Sequence, residues 1–521
     1  MTATKCAVCQ APASQKCAKC FVTVYCSKDH QKQHWKIHRT ECSPYRVCQS
    51  AELGRYLEAS RDIKAGEIIL RDSPLVVGPK QVTVPVCLGC FTPVDGSFSC
   101  TDCGWPMCGP ECQKIVLHYP ECHLSRNRPV KVQVNQFKNV NQMYECITPL
   151  RCLWLKERDP EKWSSLCQME SHMERRMNTD VHEINQANVV DFVQKYLRIL
   201  SYSEEEMHRI CGVIDVNGFE IPGPNIIGLY GKGCLLEHNC IPNSSRTFDT
   251  QLNIIVRAAV DINKGEHITT SYTDPMWGTA NRQLYLRTSK YFKCTCDRCK
   301  DPTELGTHMS SLKCGQCQSG LLLPSPTPLS PESWVCNSCS ASTIMDQVDN
   351  FLKETGEKLV RLKYSSLASS EAFLKATSSK LSENHYYRTD VKLALAQLYG
   401  RPGGPDKQEL KDLPKDLVDR KEELCRDVLK LTEIFCPGLS RLRGLLKYEL
   451  QASLMEKFRR LPKKLKATAP GKILLKESSQ LLKEASTILL MESPLQDEYH
   501  LAMQAEADLE YVNNMLGKKK R

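Results

Sequence analysis

The sequence has no long apolar run, since no stretch approaches the roughly 18 residues that a membrane span requires. It also lacks an apolar signal core before the first Cys-x-x-Cys pair, because residues 1–5 are mostly polar. We therefore expect neither a membrane protein nor a secreted one. The 29 cysteines would suit disulfides in a short secreted chain, but in 521 residues they favour a reducing compartment with thiolates held by metal.

The length and composition indicate several folded domains. A chain of 521 residues has room for three or four, and one small zinc module cannot account for it. Hydrophobic residues make up 41% and charged residues 25%, which is close to the average for globular proteins. Most of the chain should therefore be folded rather than disordered.

Four short-spaced pairs of metal-ligand residues occupy the first 42 positions. The pairs are Cys6 and Cys9, Cys17 and Cys20, Cys26 and His30, and His38 and Cys42. Short spacers force both members of a pair onto one ion, and a segment this small has little apolar core. Metal must therefore supply much of its folding free energy, and the spacing predicts two zinc sites.

The same arrangement of pairs recurs downstream. The second set is Cys87 and Cys90, Cys100 and Cys103, Cys108 and Cys112, and His118 and Cys122. The later intervals match those of the first set, which indicates an internal repeat of ligand geometry. His123 is a rival ligand, although the repeat favours His118.

Two further cysteine groups follow near residue 300. Cys314, Cys317, Cys336 and Cys339 have the spacing of a zinc ribbon. Cys294, Cys296 and Cys299 are three ligands and require a fourth from elsewhere. Six sites with 21 thiolates and six zinc ions would bring the formal charge from +10 to about +1, so overall basicity does not indicate DNA binding.

The first set of pairs resembles a MYND zinc finger, because Tyr25-Cys26-Ser27, Gln33-His34-Trp35, His38 and Cys42 match its pattern. That family interleaves its pairs. The resemblance implies one ion on Cys6, Cys9, Cys26 and His30, and another on Cys17, Cys20, His38 and Cys42. In the second copy it implies Cys87, Cys90, Cys108 and Cys112 on one ion, and Cys100, Cys103, His118 and Cys122 on the other.

A second resemblance rests on several blocks in a fixed order. Alternating apolar residues at 54–59 and 63–70 predict two short strands with a turn, and 252–258 predicts another. Together with His238-Asn239-Cys240-Ile241-Pro242-Asn243, the segment 262–272 and the final Cys-x-Cys-x2-Cys, they resemble a SET domain. The inserted finger makes the layout similar to the SET-and-MYND methyltransferase family, and the extra N-terminal finger resembles its arthropod branch.

This resemblance implies S-adenosylmethionine as cofactor and a lysine amine as methyl acceptor. It places Cys240 with Cys294, Cys296 and Cys299 on one zinc ion, and it makes Tyr272 the channel tyrosine that orients the amine. The cofactor-binding positions that it implies are Gly54, Arg55, Tyr56, Asn217, Glu237, His238 and Phe292, with Phe292 stacking on adenine.

Three positions depart from the family pattern. Glu237 stands where the family has Asn, His267 replaces the second carboxylate of Gly-Glu-Glu, and Lys290 replaces a common aromatic, with Tyr291 adjacent. The Glu237 carboxylate could attract the sulfonium of the cofactor or disturb the backbone turn. These departures leave two interpretations open, an active enzyme and a binding-only relative.

The remaining segments are predicted to be helical. Apolar spacing at 189–200 and 388–400 indicates helices, and from 341 onward Leu, Lys, Glu and Ala dominate. No clean 34-residue repeat is visible, so only a helical bundle follows from the pattern, whereas the family resemblance implies tetratricopeptide-like (TPR-like) hairpins. The expected domains are a MYND finger at 1–45, N-terminal SET strands at 46–86, a second MYND-like finger at 87–124, a helical insert at 125–210, the SET core at 211–293, the post-SET site and ribbon at 294–340, and a helical domain at 341–521.

The predicted fold class is therefore multidomain α+β, with a SET pseudoknot, inserted zinc fingers and an all-α C-terminal domain. We expect a protein-lysine methyltransferase acting in transcriptional regulation, with a catalytically inactive scaffold protein as the alternative. Protein partners should bind the fingers and the helical domain, and direct nucleic-acid binding is not expected. The basic runs at 457–464 and 518–521 could be nuclear-import signals, contacts for acidic partners or solvated surface. We expect the protein to reside in both the cytoplasm and the nucleus.

Overall fold

The structure is a computed structural model that describes residues 5–18, 23–128, 131–223, 225–317, 319–362, 366–401, 404 and 407–517. Strands and α-helices are numbered separately along the chain. None of the helices within these ranges combines the length and apolar character of a membrane span.

The N-terminal finger is followed by the first strands of the central β-structure. The elements are β1 (Gln15–Lys16), β2 (Val24–Tyr25), α1 (Lys28–Glu41), β3 (Tyr45–Ser50), β4 (Gly54–Ala59), β5 (Ile68–Asp72) and β6 (Pro74–Pro79). Ser27 caps α1, since its side chain accepts a hydrogen bond from the His30 backbone N–H. β3 and β4 form an antiparallel pair in which Tyr45 lies opposite Ala59.

The second finger leads into a helical insert. Its elements are α2 (Pro110–Gln113), a 3₁₀ turn (Val116–His118), α3 (Tyr119–Ser125), a 3₁₀ turn (Gln142–Cys146), α4 (Ile147–Arg158), α5 (Pro160–Cys167), α6 (Met173–Arg176), α7 (Asp180–Asn185), a π-helix (Gln186–Tyr196) and α8 (Glu204–Asn217). A capping box between Ser203 and Glu206 starts α8. The helix predicted at 189–200 is therefore present, but it is a π-helix that ends at Tyr196.

The central β-structure continues after the insert. Its elements are β7 (Phe219–Ile221), β8 (Ile226–Tyr230), a 3₁₀ turn (Gly233–Leu235), β9 (Glu237–His238), β10 (Ser244–Phe248), β11 (Ile254–Ala258), β12 (Thr269–Thr270), α9 (Thr279–Ser289) and α10 (Asp297–Lys300). The sheets have the strand orders β10-β11-β5, β6-β8-β7 and β12-β9. The apolar faces of β5, β8 and β11 meet in one buried core, which includes Leu70, Ile226 and Val256.

The strand predicted at 63–70 is shorter than the pattern indicates. Ile63 forms only an isolated bridge to Ile262, and the backbone then turns before β5 begins at Ile68. Ile63 is apolar because it is buried as fully as the strand residues that follow it. The apolar pattern therefore continues through a turn, and it overstated the length of the strand.

The C-terminal third contains a four-stranded ribbon and a helical domain. The elements are β13 (Leu312–Lys313), β14 (Leu321–Ser325), β15 (Ser333–Cys336), β16 (Ser342–Ile344), α11 (Met345–Leu362), α12 (Leu367–Thr377), α13 (Tyr386–Leu398), a 3₁₀ turn (Leu410–Asp412), α14 (Lys415–Phe435), α15 (Arg441–Arg460), α16 (Lys463–Lys466), α17 (Ala469–Leu489) and α18 (Asp497–Met515). The helix predicted at 388–400 corresponds to α13, which ends two residues earlier.

The helical domain docks directly on the central β-structure. The Leu439 backbone N–H donates to the Ala259 carbonyl oxygen at 2.9 Å, and Gln496 Nε2 donates to the Pro222 carbonyl at 2.9 Å. Gly438 has φ +69°, and a Cβ at this position would lie 1.9 Å from the Ala259 oxygen. Glycine is required there because any side chain would push the two domains apart.

Candidate metal centres and active-site cleft

The first cysteine pair of each finger adopts the same backbone turn. In both turns the first cysteine N–H bonds a carbonyl five residues ahead, Cys6 N–H to Ala11 O and Cys87 N–H to Thr92 O. The residue after the second cysteine has positive φ, with values of 61° at Gln10 and 62° at Phe91. The internal repeat predicted from ligand spacing therefore extends to the backbone.

Distances between the sulfur atoms suit tetrahedral zinc. Four thiolates around one Zn²⁺ with bonds of about 2.3 Å lie about 3.8 Å apart. Cys9 and Cys26 Sγ are 3.6 Å apart, and Cys314 and Cys339 Sγ are 3.7 Å apart. These distances are far longer than the roughly 2.05 Å of a disulfide bond.

The structure brings together five of the six predicted ligand sets, with all ligand atoms of a set within 4.8 Å of one another. They are Cys6, Cys9, Cys26 and His30; Cys87, Cys90, Cys108 and Cys112; Cys100, Cys103, His118 and Cys122; Cys240, Cys294, Cys296 and Cys299; and Cys314, Cys317, Cys336 and Cys339. In the sixth set, Cys17 and Cys42 Sγ are 3.7 Å apart and His38 is buried, while Cys20 lies outside the described residues.

His118 rather than His123 lies with the thiols of the second finger. His118 Nε2 is 3.5 Å from Cys103 Sγ, and its Nδ1 lies 3.0 Å from Glu121 Oε1. Arg151 donates to both carboxylate oxygens of Glu121, at 2.9 and 2.7 Å. His123 instead contacts the Trp154 ring, with ring centroids 4.8 Å apart.

Glu121 and Arg151 are a supporting pair that the ligand spacing did not reveal. Both are almost completely buried, with exposed fractions of 1% and 4%. Burial would raise the pKa of Glu121, but the positive charge of Arg151 and the hydrogen bonds from His118 and Arg151 hold it below its ordinary value. Its carboxylate can therefore fix the imidazole so that Nε2 faces the metal position.

The fourth ligand of the post-SET group comes from the segment before β10. Cys240 Sγ lies 3.5 Å from Cys299 Sγ and 4.0 Å from Cys294 Sγ. Arg282 is fully buried beside them and donates from Nε to Cys240 Sγ at 3.3 Å. Four thiolates and one Zn²⁺ carry two net negative charges, so this guanidinium balances part of a buried charge.

The chain crosses itself beside this metal group. β9 and β12 pair in parallel, so that Thr269 lies opposite Glu237 and Thr270 opposite His238. Asn243 secures the crossing, because its Nδ2 donates to the His267 carbonyl and its Oδ1 accepts from the Thr269 N–H, both at 2.8 Å. This is the pseudoknot that the sequence resemblance implied, and it places Tyr272 directly after β12.

One cavity of about 1440 Å³ opens beside the pseudoknot. Its wall combines residues from β4, α8, β9 and the segments around α9. Among them are the predicted site residues Gly54, Arg55, Asn217, Glu237, His238, Tyr272 and Phe292. Tyr56 does not line this cavity; its ring stacks on His267 with centroids 4.3 Å apart.

Tyr272 is held in place on the wall of the cavity. Its hydroxyl donates to the Leu236 carbonyl oxygen, and its backbone N–H donates to His238 Nδ1 at 3.0 Å. Burial raises the pKa of the Tyr272 hydroxyl, so the phenol stays protonated at physiological pH. Burial also lowers the pKa of His238 to about 4, and since Nδ1 accepts, the Nε2–H is the donor to Cys240 Sγ at 3.3 Å.

The remaining predicted cofactor residues have distinct local roles. Gly54 has φ +67° and open space where a Cβ would stand, as expected for backbone that faces a ligand. Arg55 donates to the Gln168 side chain at 3.1 Å and to its carbonyl at 2.7 Å, and so ties β4 to the helical insert.

The Asn217 amide donates to the Glu170 and Val213 carbonyls. Phe292 meets Tyr272 edge to face, with centroids 6.3 Å apart.

Two of the three departures from the family pattern contact each other. His267 Nδ1 lies 2.8 Å from Glu237 Oε2 on the wall of the cavity. The parallel pairing of β9 and β12 brings these residues together, although 30 positions separate them in sequence. The carboxylate therefore has a partner within the chain and does not face the cavity as an isolated charge.

Lys290 is the third departure, and it faces the cavity. Its Nζ donates to the carbonyl oxygens of Asp215 and Val216, at 2.9 and 2.7 Å, at the C-terminal end of α8. Tyr291 does not replace the missing aromatic, because its φ of +61° turns it toward the helical insert. There its hydroxyl accepts from Arg176 Nη1 at 3.4 Å.

Comparison with known proteins agrees with these features. A family model described as MYND finger matches residues 6–42, and one described as SET domain matches 54–273. SET domain-containing protein SmydA-8, isoform A, of Drosophila melanogaster is 30% identical over 318 residues, which cover 58% of this chain and 66% of the relative. N-lysine methyltransferase SMYD2-B of Danio rerio is 28% identical over 270 residues, covering 47% of this chain and 58% of the relative.

Histone-lysine N-methyltransferase ASHR1 of Arabidopsis thaliana is 26% identical over 424 residues, covering 76% of this chain and 82% of the relative. Among solved structures, Rubisco LSMT bound to AdoMet covers 92% of this chain and 93% of its own at 10% identity, with a TM-score of 0.29. A TM-score this low supports no residue-by-residue comparison. The chain covers just under two thirds of the first SmydA-8 relative.

The fold, the zinc-ligand groups and the matched models define a SET-domain protein that carries a MYND finger. The matches to the fly, fish and plant relatives cover 66%, 58% and 82% of those relatives, respectively. The chain is similar to proteins of the SET-and-MYND methyltransferase family, as the sequence predicted, and the predicted fold is confirmed.

Proposed function

We propose that the protein is an S-adenosylmethionine-dependent protein-lysine methyltransferase. The pseudoknot is the observation that carries this proposal, because it fixes Tyr272 on the wall of one cavity through hydrogen bonds with the Leu236 carbonyl oxygen and the His238 imidazole. The residues that the family resemblance assigns to the cofactor line the same cavity, apart from Tyr56. Relatives named as lysine methyltransferases support the same activity.

The bound cofactor would supply a methyl group on a sulfonium, and the chain would supply position and exclusion of water. The Tyr272 hydroxyl donates to Leu236 O, which leaves its oxygen free to accept from a substrate amine. A lysine that enters the cavity loses water, so its pKa falls and the reactive neutral amine is favoured. The backbone near Gly54 and His238 would hold the cofactor, and Phe292 would face its adenine.

We further propose protein substrates, histone or non-histone, and a role in transcriptional regulation with residence in both cytoplasm and nucleus. The first finger offers exposed Trp35 and Ile37 on α1 as an apolar contact for a protein partner.

Within the basic run at 457–464, Lys457 is already paired with Asp419 and Glu422, whereas Lys463 and Lys464 are exposed. Arg459 and Arg460 are exposed as well but pair with Glu456, so Lys463 and Lys464 are the residues of the run that we assign to an import receptor or an acidic partner. The second basic run, 518–521, lies outside the described residues.

An alternative function is a scaffold protein that retains the SET fold without turnover. Lys290 is the observation that favours it, because an ammonium group stands near Tyr272 where the family commonly has an aromatic. Its Nζ lies 6.0 Å from the Tyr272 ring centroid. A cation at this distance opposes the binding of both a sulfonium and a substrate ammonium.

Radiolabelled methyl transfer to a panel of proteins separates the two functions. We expect transfer by the zinc-loaded chain and its loss in Tyr272→Phe. Tyr291→Phe is the matched control, since this phenol faces the helical insert rather than the cavity. The proposal would be overturned, and the scaffold function would remain, if the wild type transferred no more methyl than Tyr272→Phe and calorimetry detected no cofactor binding.

A further inference from the structure

Two lysines are among the described residues that line the cavity, Lys290 and Lys293. Lys293 reaches outward, and its Nζ donates to Ser330 Oγ at 3.1 Å. Lys290 reaches inward, where its Nζ lies 6.0 Å from the Tyr272 ring centroid. One amine of the chain itself therefore already stands beside the residue proposed to orient a substrate amine.

The partners of half-buried Lys290 differ from those of two buried lysines, Lys392 and Lys421. Lys392 Nζ lies 2.7 Å from Glu383 Oε1, and Lys421 Nζ lies 2.7 Å from Glu449 Oε2. Lys290 Nζ bonds two neutral carbonyl oxygens, while the carboxylate of the neighbouring Asp215 is paired with Arg176. Releasing the Lys290 amine therefore breaks hydrogen bonds but does not separate an ion pair, which costs less.

The neutral amine is also accessible at Lys290. Burial lowers the pKa of Lys290 to about 8, and Arg246 acts in the same direction, while Asp215 opposes it. Near pH 8 about half of the molecules would carry a neutral amine with a free lone pair. Arg246 lines the same cavity and cannot act as an acceptor of this kind, because a guanidinium remains charged.

From this placement we propose that the Lys290 amine accepts a methyl group inside the cavity of its own chain, so that the protein methylates itself at this residue. The inference rests on the function proposed above. The ammonium first loses a proton to water in the open cavity. The nitrogen lone pair then forms the bond to the methyl carbon as the carbon–sulfur bond breaks, and that electron pair converts the sulfonium to a thioether. The positive charge ends on the methylated amine.

Mass spectrometry of the full-length, zinc-loaded protein tests this proposal. After incubation with S-adenosylmethionine that carries a deuterated methyl group, we expect labelled methyl at Lys290, at least about tenfold more than at Lys293. At saturating S-adenosylmethionine the rate constant should not change when the protein is diluted, because the cofactor-binding cavity and the acceptor amine belong to one chain. Tyr272→Phe should remove the label, and Lys290→Arg should remove it while leaving any other labelled position visible.

A second measurement needs no cofactor. Trace acetylation at pH 8 should modify Lys290 at least about threefold faster than Lys392 and Lys421, which are buried but held by carboxylates. Equal rates at the three positions would show that the Lys290 amine is not available and would overturn the inference. The same acetylation in Lys290→Arg confirms the assignment of the modified peptide.

The outcomes distinguish this inference from the proposed function. An unlabelled Lys290 in a protein that binds the cofactor overturns self-methylation, and transfer to an external protein would then leave the proposed function standing. Absence of transfer to any protein would remove both. Equal labelling of Lys290 in Tyr272→Phe would show uncatalysed alkylation and would also overturn the inference.

Discussion

His267 Nδ1 lies 2.8 Å from Glu237 Oε2, so two residues that depart from the family pattern are partners of each other. The Tyr56 ring stacks on the face of the His267 ring, with centroids 4.3 Å apart. A substitution at one position alone would leave the other without its partner. The two changes are therefore a matched exchange on the cavity wall, and they do not count as two independent defects.

This pairing predicts non-additive effects on cofactor binding. Glu237→Asn alone should weaken affinity about fivefold, because His267 loses its acceptor. Adding His267→Glu restores the family combination and should recover most of that loss. Calorimetric titration of the cofactor into wild type, both single variants and the double variant gives the coupling free energy between the two positions. Strictly additive effects would contradict the partnership.

Cys240 should connect zinc binding to cofactor binding. Cys240→Ser removes one ligand from the post-SET group, so the protein should release one zinc ion more readily and lose cofactor affinity through the adjacent His238. Cys234→Ser is the matched control, since Cys234 also lines the cavity but bonds the Gly231 carbonyl. Zinc quantification by elemental analysis and calorimetry measure the two effects. Equal zinc content in the two variants would contradict the assignment.

Glu121→Gln should destabilise the second finger and weaken its zinc site. The change leaves Arg151 buried without its carboxylate, which costs about 3 kcal/mol of unfolding free energy. His118 also loses the acceptor that orients it, so zinc affinity should fall about tenfold or more. Chemical denaturation and zinc competition with a chelator measure these changes. Glu111→Gln, at an exposed pair with Lys114, should leave both quantities unchanged.

Glu492 should make stability depend on pH. Burial raises the pKa of Glu492 from 4.5 to about 7, with Glu498 acting in the same direction and Arg441 opposing. The folded state then binds the proton more tightly than the unfolded state, so this stabilisation is present below about pH 4.5 and is lost as pH rises through 7. Glu492→Gln should therefore gain up to about 3 kcal/mol over wild type at pH 8 and little at pH 4.5. Thermal unfolding at both pH values checks this, with exposed Glu506→Gln as control.

The sequence predicted the zinc-ligand sets because short spacers leave few alternatives, as with Cys314 and Cys317. Family resemblance, not spacing, supplied Cys240 as the fourth post-SET ligand. Neither could supply Arg282 beside Cys240, or the partnership of Glu121 and Arg151, because such contacts depend on which helices meet in the core. The direction of Lys290 was equally hidden, since it depends on where the C-terminal end of α8 lies, whose carbonyl oxygens accept from its Nζ.

The stacking of Arg298 on Phe435 has a consequence for how this protein can be divided. Arg298 lies 3.6 Å from the Phe435 ring centroid and donates to Glu304, which in turn accepts from Arg282 beside Cys240. The last residue of α14 therefore supports the charge network around the post-SET thiolates. A shortened fragment that ends before α11 would lack Phe435, and the Arg298 guanidinium would be exposed. Loss of activity in such a fragment would therefore indicate a damaged metal site, and it would not show that the helical domain recruits partners.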